Sequence, residues 1–322
     1  MNALGALRGG LLVVASAAAF LTPAYGANIK IQCGGRAHQT INGVLRFLDP
    51  AESNTITVNG NCHENVVVQS FDRLTLVTTT GATINDASGG IDAVLDIEDS
   101  RSVTLQGFTI NGGGGVLCGG ASVCRLIGNT IQSSTANGIA VIRASTAFLA
   151  NNVVQNNALP GLGVNGDSRV ISNGDSFVGN TDSGARVLAS YFLCTGSTIQ
   201  NNGSNGSAGV VGLEGARVRF QSCTISGNPS SGVVLVQGAE GRFATGNIIT
   251  GNGGNGVSLG DLAFASFDPG NSVTGNTGGP DVLCTPIFSD SRCPCEYRGW
   301  NNELCRTLRE VGGWPILCRS TP

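Results

Sequence analysis

One asparagine position recurs through the second half of this 322-residue chain at a nearly constant interval. Each of these asparagines stands three residues after an apolar residue, and successive apolar residues are 22 to 26 residues apart. A fixed interval of this size is the signature of stacked repeats, in which each repeat contacts mainly its neighbours. The asparagines are Asn156, Asn180, Asn202, Asn228, Asn252 and Asn276, and the apolar residues are Val153, Phe177, Ile199, Ile225, Ile249 and Val273.

Each repeat is too short for a crossover helix and reads as two or three short strands separated by glycine and asparagine turns. After each asparagine a glycine precedes alternating apolar residues, as in 138–141 and 232–235, which is the period of a strand. Strands between such tight corners can pair only with the equivalent strands of neighbouring repeats, about 4.8 Å away. The sequence therefore predicts an all-β fold, a parallel β-helix of about ten coils over residues 55–284.

Asparagine suits the corners of such a stack, because its amide both donates and accepts and because it tolerates left-handed backbone. A second polar row is predicted two residues before the apolar one. Its members are Asn129, Asn151, Asp175, Ser197, Cys223, Asn247 and Asn271.

The two ends of the chain differ from the repeats. Residues 1–26 combine Arg8, an apolar run and small residues before position 27, which predicts a cleaved signal peptide. Residues 27–54 are predicted to form an N-terminal cap with a short amphipathic helix within 40–48. Residues 285–322 lack the asparagine repeat and carry both tryptophans and several cysteines, which predicts a disulfide-tied C-terminal cap. A metal site at Cys293 and Cys295 is the alternative there.

Eleven cysteines favour an exported protein, because disulfides persist outside the reducing cytosol. Cys33 and Cys62 bracket the predicted cap helix, and Cys118 and Cys124 lie close in sequence, so disulfides Cys33–Cys62 and Cys118–Cys124 are predicted. A pairing of Cys194 with Cys223 is left open, because they occupy different repeat positions.

Charge is scarce in this chain, at 12% of residues with a net charge of −3. This balance argues against nucleic acid as the main partner. After the signal segment no stretch is long and apolar enough to predict a membrane helix.

The recurrent Asn-x-Ile-x-x-Asn followed by Gly-Ile/Val-x-Val resembles the right-handed parallel β-helix proteins of the pectate-lyase-like superfamily, and more narrowly the bacterial exported right-handed β-helix repeat proteins. The resemblance covers residues 56–284. It implies right-handed coils, in agreement with the general hand of parallel crossovers. It also implies two kinds of function, because enzymes of this superfamily act on acidic polysaccharides as lyases, hydrolases or epimerases, whereas its non-enzymes include adhesins and phage tailspikes.

An enzyme of this kind requires clustered carboxylates. The densest acidic stretch contains Asp92, Asp96, Glu98 and Asp99. Asp92 and Asp96 are expected to point the same way on a strand, with Glu98 and Asp99 at the next corner. The stretch is the best candidate for an acid/base or calcium site, and the alternative is a solvated turn.

Other catalytic signals are weak. Asn180-Thr181-Asp182 matches one fragment of a polygalacturonase-like site, but the other fragments are absent and Asn180 belongs to the asparagine row. The only histidines, His38 and His63, both lie near the N-terminus and are expected at the surface.

A binding site has more support than a catalytic one. Several arginines precede the repeated apolar positions by similar distances, so stacking is expected to gather them on one side with a tyrosine among them. Guanidinium groups bind carboxylates bidentately, and an aromatic face suits a sugar ring. The alternative is a solvated set partly paired with Glu214, Glu240 and Asp167. The candidates are Arg125, Arg169, Tyr191, Arg217, Arg219 and Arg242.

These patterns favour an exported, non-catalytic β-helix protein that acts in surface adhesion or binds acidic glycans and needs no cofactor. A lyase, epimerase or hydrolase acting on uronate polysaccharides, with calcium as its cofactor, is one alternative. A structural envelope protein is the other.

Overall fold

The computed structural model describes residues 26–35, 39–284 and 295–297. Within these ranges the chain forms one short helix, α1 (Ile41–Leu45), and 31 strands. In chain order the strands are β1 (Asn28–Cys33), β2 (Ser53–His63), β3 (Val66–Gln69), β4 (Arg73–Val77), β5 (Thr83–Asn85), β6 (Leu95–Glu98), β7 (Val103–Gln106), β8 (Thr109–Asn111), β9 (Val116–Cys118), β10 (Val123–Ile127), β11 (Thr130–Gln132), β12 (Ile139–Val141), β13 (Thr146–Ala150), β14 (Val153–Gln155), β15 (Leu162–Val164) and β16 (Arg169–Asn173). They continue as β17 (Ser176–Val178), β18 (Ala185–Leu188), β19 (Tyr191–Thr195), β20 (Thr198–Gln200), β21 (Val210–Leu213), β22 (Arg217–Gln221), β23 (Thr224–Ser226), β24 (Val233–Leu235), β25 (Glu240–Phe243), β26 (Ile248–Thr250), β27 (Val257–Leu259), β28 (Phe264–Phe267), β29 (Ser272–Thr274), β30 (Val282–Cys284) and β31 (Cys295–Tyr297).

The strands form three parallel sheets that run along one axis, and each complete coil visits them in the order A, B, C. Sheet C has ten strands, which confirms the predicted β-helix of about ten coils. Sheet A contains β1, β2, β4, β7, β10, β13, β16, β19, β22, β25, β28 and β31. Sheet B contains the end of β2 with β5, β8, β11, β14, β17, β20, β23, β26 and β29. Sheet C contains β3, β6, β9, β12, β15, β18, β21, β24, β27 and β30.

The interior is filled by aliphatic and aromatic side chains stacked in register from coil to coil. On sheet B, Val154 pairs with Phe177, which pairs with Ile199, and all three are fully buried. On sheet A the rings of Phe220, Phe243 and Phe267 stack, with centroid distances of 5.1 and 4.4 Å. The parallel register places like residues above like, so each apolar position of the repeat becomes a continuous column.

The predicted asparagine ladder lies at the corner between sheets B and C. Each side chain donates from Nδ2 to the Oδ1 of the next asparagine at 2.8 to 3.4 Å, and that same Oδ1 accepts from the donor's backbone N–H. The members are Asn157, Asn180, Asn202, Asn228, Asn252 and Asn276, of which all but the last are buried.

The prediction for Asn156 was wrong by one residue. Asn156 is exposed and has a left-handed backbone with φ of 54°, whereas the buried ladder member is Asn157. The stacked apolar residue is correspondingly Val154 and not Val153. Because both positions are doubled in this repeat, Val153-Val154 and Asn156-Asn157, either register satisfied the sequence pattern.

The second polar row is also present, at the corner between sheets A and B. Asn152, and not the predicted Asn151, is its member in that coil, and its Nδ2 donates to Asp175 Oδ1 at 2.8 Å. Asp175 is almost fully buried and also accepts from Ser172 Oγ at 2.6 Å. Burial raises the pKa of Asp175 above its ordinary value, although hydrogen bonds from Ser172, Asn152 and Asn173 oppose the shift.

Asp175→Asn is expected to increase the free energy of unfolding at neutral pH. Folding raises the pKa of this carboxyl, so the folded protein resists its ionisation. The carboxyl does not lower the free energy of unfolding below its unfolded pKa. The loss of stability grows as the pH rises from the unfolded pKa to the folded pKa, and it is complete above the folded pKa. An asparagine avoids burial of the charge and has the donor that Asn152 uses on Leu126 O. Urea unfolding at pH 7 and at pH 3 measures the difference, which should shrink at the lower pH. An equal difference at both pH values would contradict this explanation.

A third ladder, not predicted from the sequence, lies at the corner between sheets C and A. It consists of serines whose Oγ accepts the backbone N–H of the equivalent residue one coil earlier, at 2.9 to 3.2 Å. The equivalent positions in the last coils are alanines. The serines are Ser100, Ser122, Ser145, Ser168 and Ser190, and the alanines that follow are Ala216, Ala239 and Ala263.

Helix α1 closes the N-terminal end, as predicted. Thr40 is its N-cap, accepting from Gly43 N at 2.9 Å. The side chain of Asn42 takes the place of a neighbouring strand beside β3. It donates a hydrogen bond to Asn65 O at 2.7 Å and accepts one from Val67 N at 3.0 Å. These two bonds satisfy two backbone groups at the open edge of β3, which matters because an unpaired edge invites association.

Three disulfides have both of their cysteines within the described residues. They are the two predicted ones, Cys33–Cys62 and Cys118–Cys124, and also Cys194–Cys223. Cys194 lies inside sheet A and Cys223 occupies the second polar row of the next coil, so a bridge between different repeat positions is feasible at this corner.

Most of the two terminal predictions falls outside the described residues. Of the predicted signal peptide at 1–26, only Gly26 is described. Of the predicted C-terminal cap at 285–322, which includes the alternative metal site, only β31 is described. Strand β31 adds one more strand to sheet A. None of the described helices is long and apolar enough to cross a membrane.

Candidate functional site

The outer side of sheet A carries five of the six predicted binding residues close together. Arg169, Tyr191 and Arg217 are direct neighbours in one outward row. Arg219 and Arg242 are neighbours in the adjacent row, two residues further along the strands. We call these five residues the arginine face. Alternation along the strands explains it, because the residues between them, such as Val218 and Phe192, are buried in the core.

The arginine face contains one contact between a cation and an aromatic ring, and two ion pairs. The guanidinium of Arg169 lies over the Tyr191 ring, 4.6 Å from its centroid. Arg217 is 3.7 Å from Glu240, and both side chains are more than half exposed, so this pair is weak and easily exchanged. Arg242 bonds Asp268 at 3.2 Å. The expected pairing with Glu240 is therefore present for Arg217, whereas the partner of Arg242, Asp268, was not among the expected acidic residues.

Arg125 does not join the arginine face. It shares a row with Arg219, but Phe148, Ile171 and Leu193 lie between them. Four steps of the stack separate the two arginines, or about 19 Å. Arg125 instead lies over the Phe148 ring at 4.8 Å. The number of residues between Arg125 and the repeated apolar position predicted its row correctly. It did not predict where Arg125 lies along the axis of the β-helix.

The predicted acidic stretch lies on the outer side of sheet C, in a different arrangement from the expected one. Asp96 and Glu98 both point outward from β6, so Glu98 is a strand residue and not a corner residue. Asp92 precedes the strand, and Asp99 forms the corner with φ of 48°. The two carboxylates that share a direction are therefore Asp96 and Glu98, not Asp92 and Asp96.

Arg143, from two coils further on, bonds Glu98 across the sheet. Gly119 lies between them, and a methyl group there would be 2.5 Å from Glu98 Oε1 and 2.9 Å from Arg143 Nη2. Burial raises the pKa of Glu98 and of Asp96, while the Arg143 charge opposes both shifts. This pairing over 45 residues has no signal in the sequence.

The other acidic fragment singled out, Asn180-Thr181-Asp182, has a structural role. Asn180 is a ladder member. Burial alone would raise the pKa of Asp182, but hydrogen bonds from Ser207 and Ser183 and the charge of Arg186 outweigh it, so the pKa is lowered. Arg186 is the single charged residue in the outward row that follows the glycines of sheet C from Ala140 to Ser258.

The described residues bring three potential metal-ligand atoms within 4.8 Å of one another at one place, formed by Cys33, Cys62 and Glu64. The two sulfurs are joined in a disulfide. Glu64 accepts from the backbone N–H groups of Ile41 and Asn42, at 2.7 and 3.0 Å. This group therefore fastens the cap helix.

The stacked coils and corner ladders agree with the match of a family model, described as the right handed beta helix region, to residues 114–285. The chain belongs to the right-handed β-helix family. None of the curated proteins matches it.

Two solved structures share the fold at low identity. The A-module of the Azotobacter vinelandii mannuronan C-5 epimerase AlgE4 superposes with a TM-score of 0.59 at 16% identity, over 77% of this chain and 79% of that one. The periplasmic alginate epimerase AlgG superposes with a TM-score of 0.53 at 12% identity, over 76% of this chain and 64% of that one. This chain therefore spans less than two thirds of AlgG. At these identities the likeness concerns the fold.

Proposed function

We propose that this β-helix protein is exported and binds an acidic polysaccharide on the arginine face. The observation that supports the proposal most directly is the row Arg169–Tyr191–Arg217, in which a tyrosine stands between two arginines and the Arg169 guanidinium lies over its ring. A uronate polymer presents carboxylates at regular intervals along sugar rings, so it matches both groups.

The geometry of the row suits an extended chain. The arginine face extends over the four successive strands β16, β19, β22 and β25, which are about 4.8 Å apart, so an extended polymer that lies along the axis can contact several of its residues. The ion pairs of Arg217 and Arg242 involve surface partners, which a polymeric carboxylate can replace at little cost. The similarity in fold to two alginate epimerases supports a uronate ligand by analogy. The three disulfides fit an exported protein.

The double variant Arg217→Ala/Arg219→Ala is expected to weaken binding to alginate or polygalacturonate by about tenfold or more, because each charge-assisted hydrogen bond contributes about 1.5–3 kcal/mol. Titration calorimetry at low ionic strength measures the affinity, which should fall as salt is added. Arg73→Ala/Arg101→Ala removes the same charge from exposed positions several coils away and is the matched control. Equal losses in both variants would reduce the effect to net charge, and no affinity in the unchanged protein would refute the proposal.

A uronate lyase or epimerase is the second candidate, and one observation favours it. Asp96 and Glu98 have raised pKa values beside Arg143, the combination expected of an acid/base pair with an anion-binding group. Incubation with alginate and polygalacturonate, with and without calcium, tests it through unsaturated uronates or epimerised residues. Glu98→Gln should abolish any activity. If the unchanged protein yields no product under either condition, this candidate fails.

A further inference from the structure

The outer side of sheet B carries a different chemistry from the arginine face. Each strand from β5 to β29 in this sheet presents two outward residues, and most of them are hydroxyls or amides. We call this surface the amide–hydroxyl face. Its first row is Thr83, Thr109, Thr130, Val153, Ser176, Thr198, Thr224, Ile248 and Ser272, and its second row is Asn85, Asn111, Gln132, Gln155, Val178, Gln200, Ser226, Thr250 and Thr274.

Some of these side chains form hydrogen bonds with their neighbours along the axis, which orders them. Asn111 Nδ2 donates to Asn85 Oδ1 at 3.3 Å, and Gln155 Nε2 donates to Gln132 Oε1 at 2.9 Å. An amide has two donors and an acceptor with two lone pairs, so these bonds leave capacity for a ligand. Less conformational entropy is therefore lost when a ligand binds.

No outward residue of the nine strands from β5 to β29 is an aspartate, glutamate, lysine or arginine. The face is about 6.6 Å wide between its two rows and about 38 Å long over nine strands. A narrow, uncharged surface of hydroxyl and amide groups, which both donate and accept, offers an acidic polymer no charge partner, but it complements the hydroxyl groups of a neutral one.

We propose that the amide–hydroxyl face binds one extended chain of a neutral polysaccharide, lying along the axis of the β-helix. The ligand and the surface both differ from those of the arginine face, so this inference does not depend on the function proposed above. Each hydrogen bond contributes about 1 kcal/mol net, and repetition over successive coils adds these small terms along one polymer.

The composition of the face argues against two other occupants. A protein partner requires a core of large apolar or aromatic residues, whereas only Val153, Val178 and Ile248 are large and apolar here. A surface that binds ice must be flat, whereas the side chains of the second row become shorter from Gln200 to Ser226. A flexible chain of sugars accommodates this variation.

Native affinity electrophoresis of the full chain tests the proposal, in gels containing hydroxyethylcellulose, mixed-linkage β-glucan or galactomannan, at low and high salt. We expect retardation in at least one of these gels, unchanged by salt. Thr130→Lys/Thr198→Lys should weaken it by about tenfold, the effect of losing one or two hydrogen bonds. Thr55→Lys/Thr104→Lys introduces the same change on the outer side of sheet A and should leave retardation unchanged.

Retardation in none of the neutral gels would overturn the proposal, as would equal losses in the two lysine pairs. Inhibition of ice growth without retention by any polysaccharide would assign the face to ice instead. If Thr130→Lys/Thr198→Lys does not fold, Gln132→Ala/Gln155→Ala replaces it, because it shortens two half-buried amide side chains of the face without adding charge. Loss of alginate binding alone, with neutral binding retained, would leave this inference standing.

Discussion

Replacing Asn228 by leucine is expected to lower the free energy of unfolding by about 4 kcal/mol. Asn228 Oδ1 accepts from Asn202 N at 2.9 Å, and its Nδ2 donates to Ile199 O at 3.3 Å and to Asn252 Oδ1 at 2.8 Å. Leucine removes these bonds and leaves buried polar groups without these partners, above all the backbone N–H of Asn202. Each such group costs about 1–3 kcal/mol. Guanidinium unfolding followed by circular dichroism measures the loss.

A neighbouring pair of asparagines supplies the control. Asn157→Gly removes a ladder member and is expected to destabilise the fold strongly, because Asn157 Nδ2 donates to Asn180 Oδ1 at 2.9 Å. Asn156→Gly places glycine at an exposed residue with φ of 54°, a conformation that glycine adopts without strain, so it should change stability little. The reverse order of effects would show that the register is wrong by one residue.

Phe243→Ala is expected to cost about 4 kcal/mol, because it removes a fully buried ring. The ring stacks between Phe220 at 5.1 Å and Phe267 at 4.4 Å, so its loss leaves a cavity that both neighbours border. Because a solenoid is stabilised by contacts between adjacent repeats, the loss should concentrate in the coils around β25. Hydrogen exchange followed by mass spectrometry resolves this by segment.

The matched comparison for the phenylalanine column is Phe148→Ala. Phe148 points outward from sheet A and is only partly buried, so its removal should cost less than about 1 kcal/mol. Uniform loss of protection along the whole chain in Phe243→Ala would contradict the local description and would indicate one cooperative unit.

The repeated asparagines and apolar residues predicted the architecture because every coil repeats the same physical solution. A buried amide must pair, and pairing with its equivalent one coil away works at every repeat. The prediction of these ladders failed in one coil, where the asparagines are doubled, at Asn151-Asn152 and at Asn156-Asn157. The sequence did not predict the serine ladder, because serine is common in turns and Ser122 and Ser145 do not differ from the other serines in any visible pattern.

The surface was less predictable than the core. The row of Arg219 followed from its distance to the repeated apolar residue, and the same distance gave the row of Arg125. The distance between Arg125 and Arg219 along the axis depends on how many coils lie between them. The fact that both residues are arginines does not reveal this number. The contact of Glu98 with Arg143 joins residues from coils that are not adjacent in the stack, and it depends on the absence of a side chain at Gly119.

The parallel register of the coils sets how the length of this protein can change. Each coil begins and ends at the same lateral position, so a whole coil can be inserted or deleted without turning the coils that follow. Every outer face would then lengthen or shorten by about 4.8 Å while its rows stayed aligned. Homologous chains that recognise polymers of different length could therefore differ by whole coils and not by single residues.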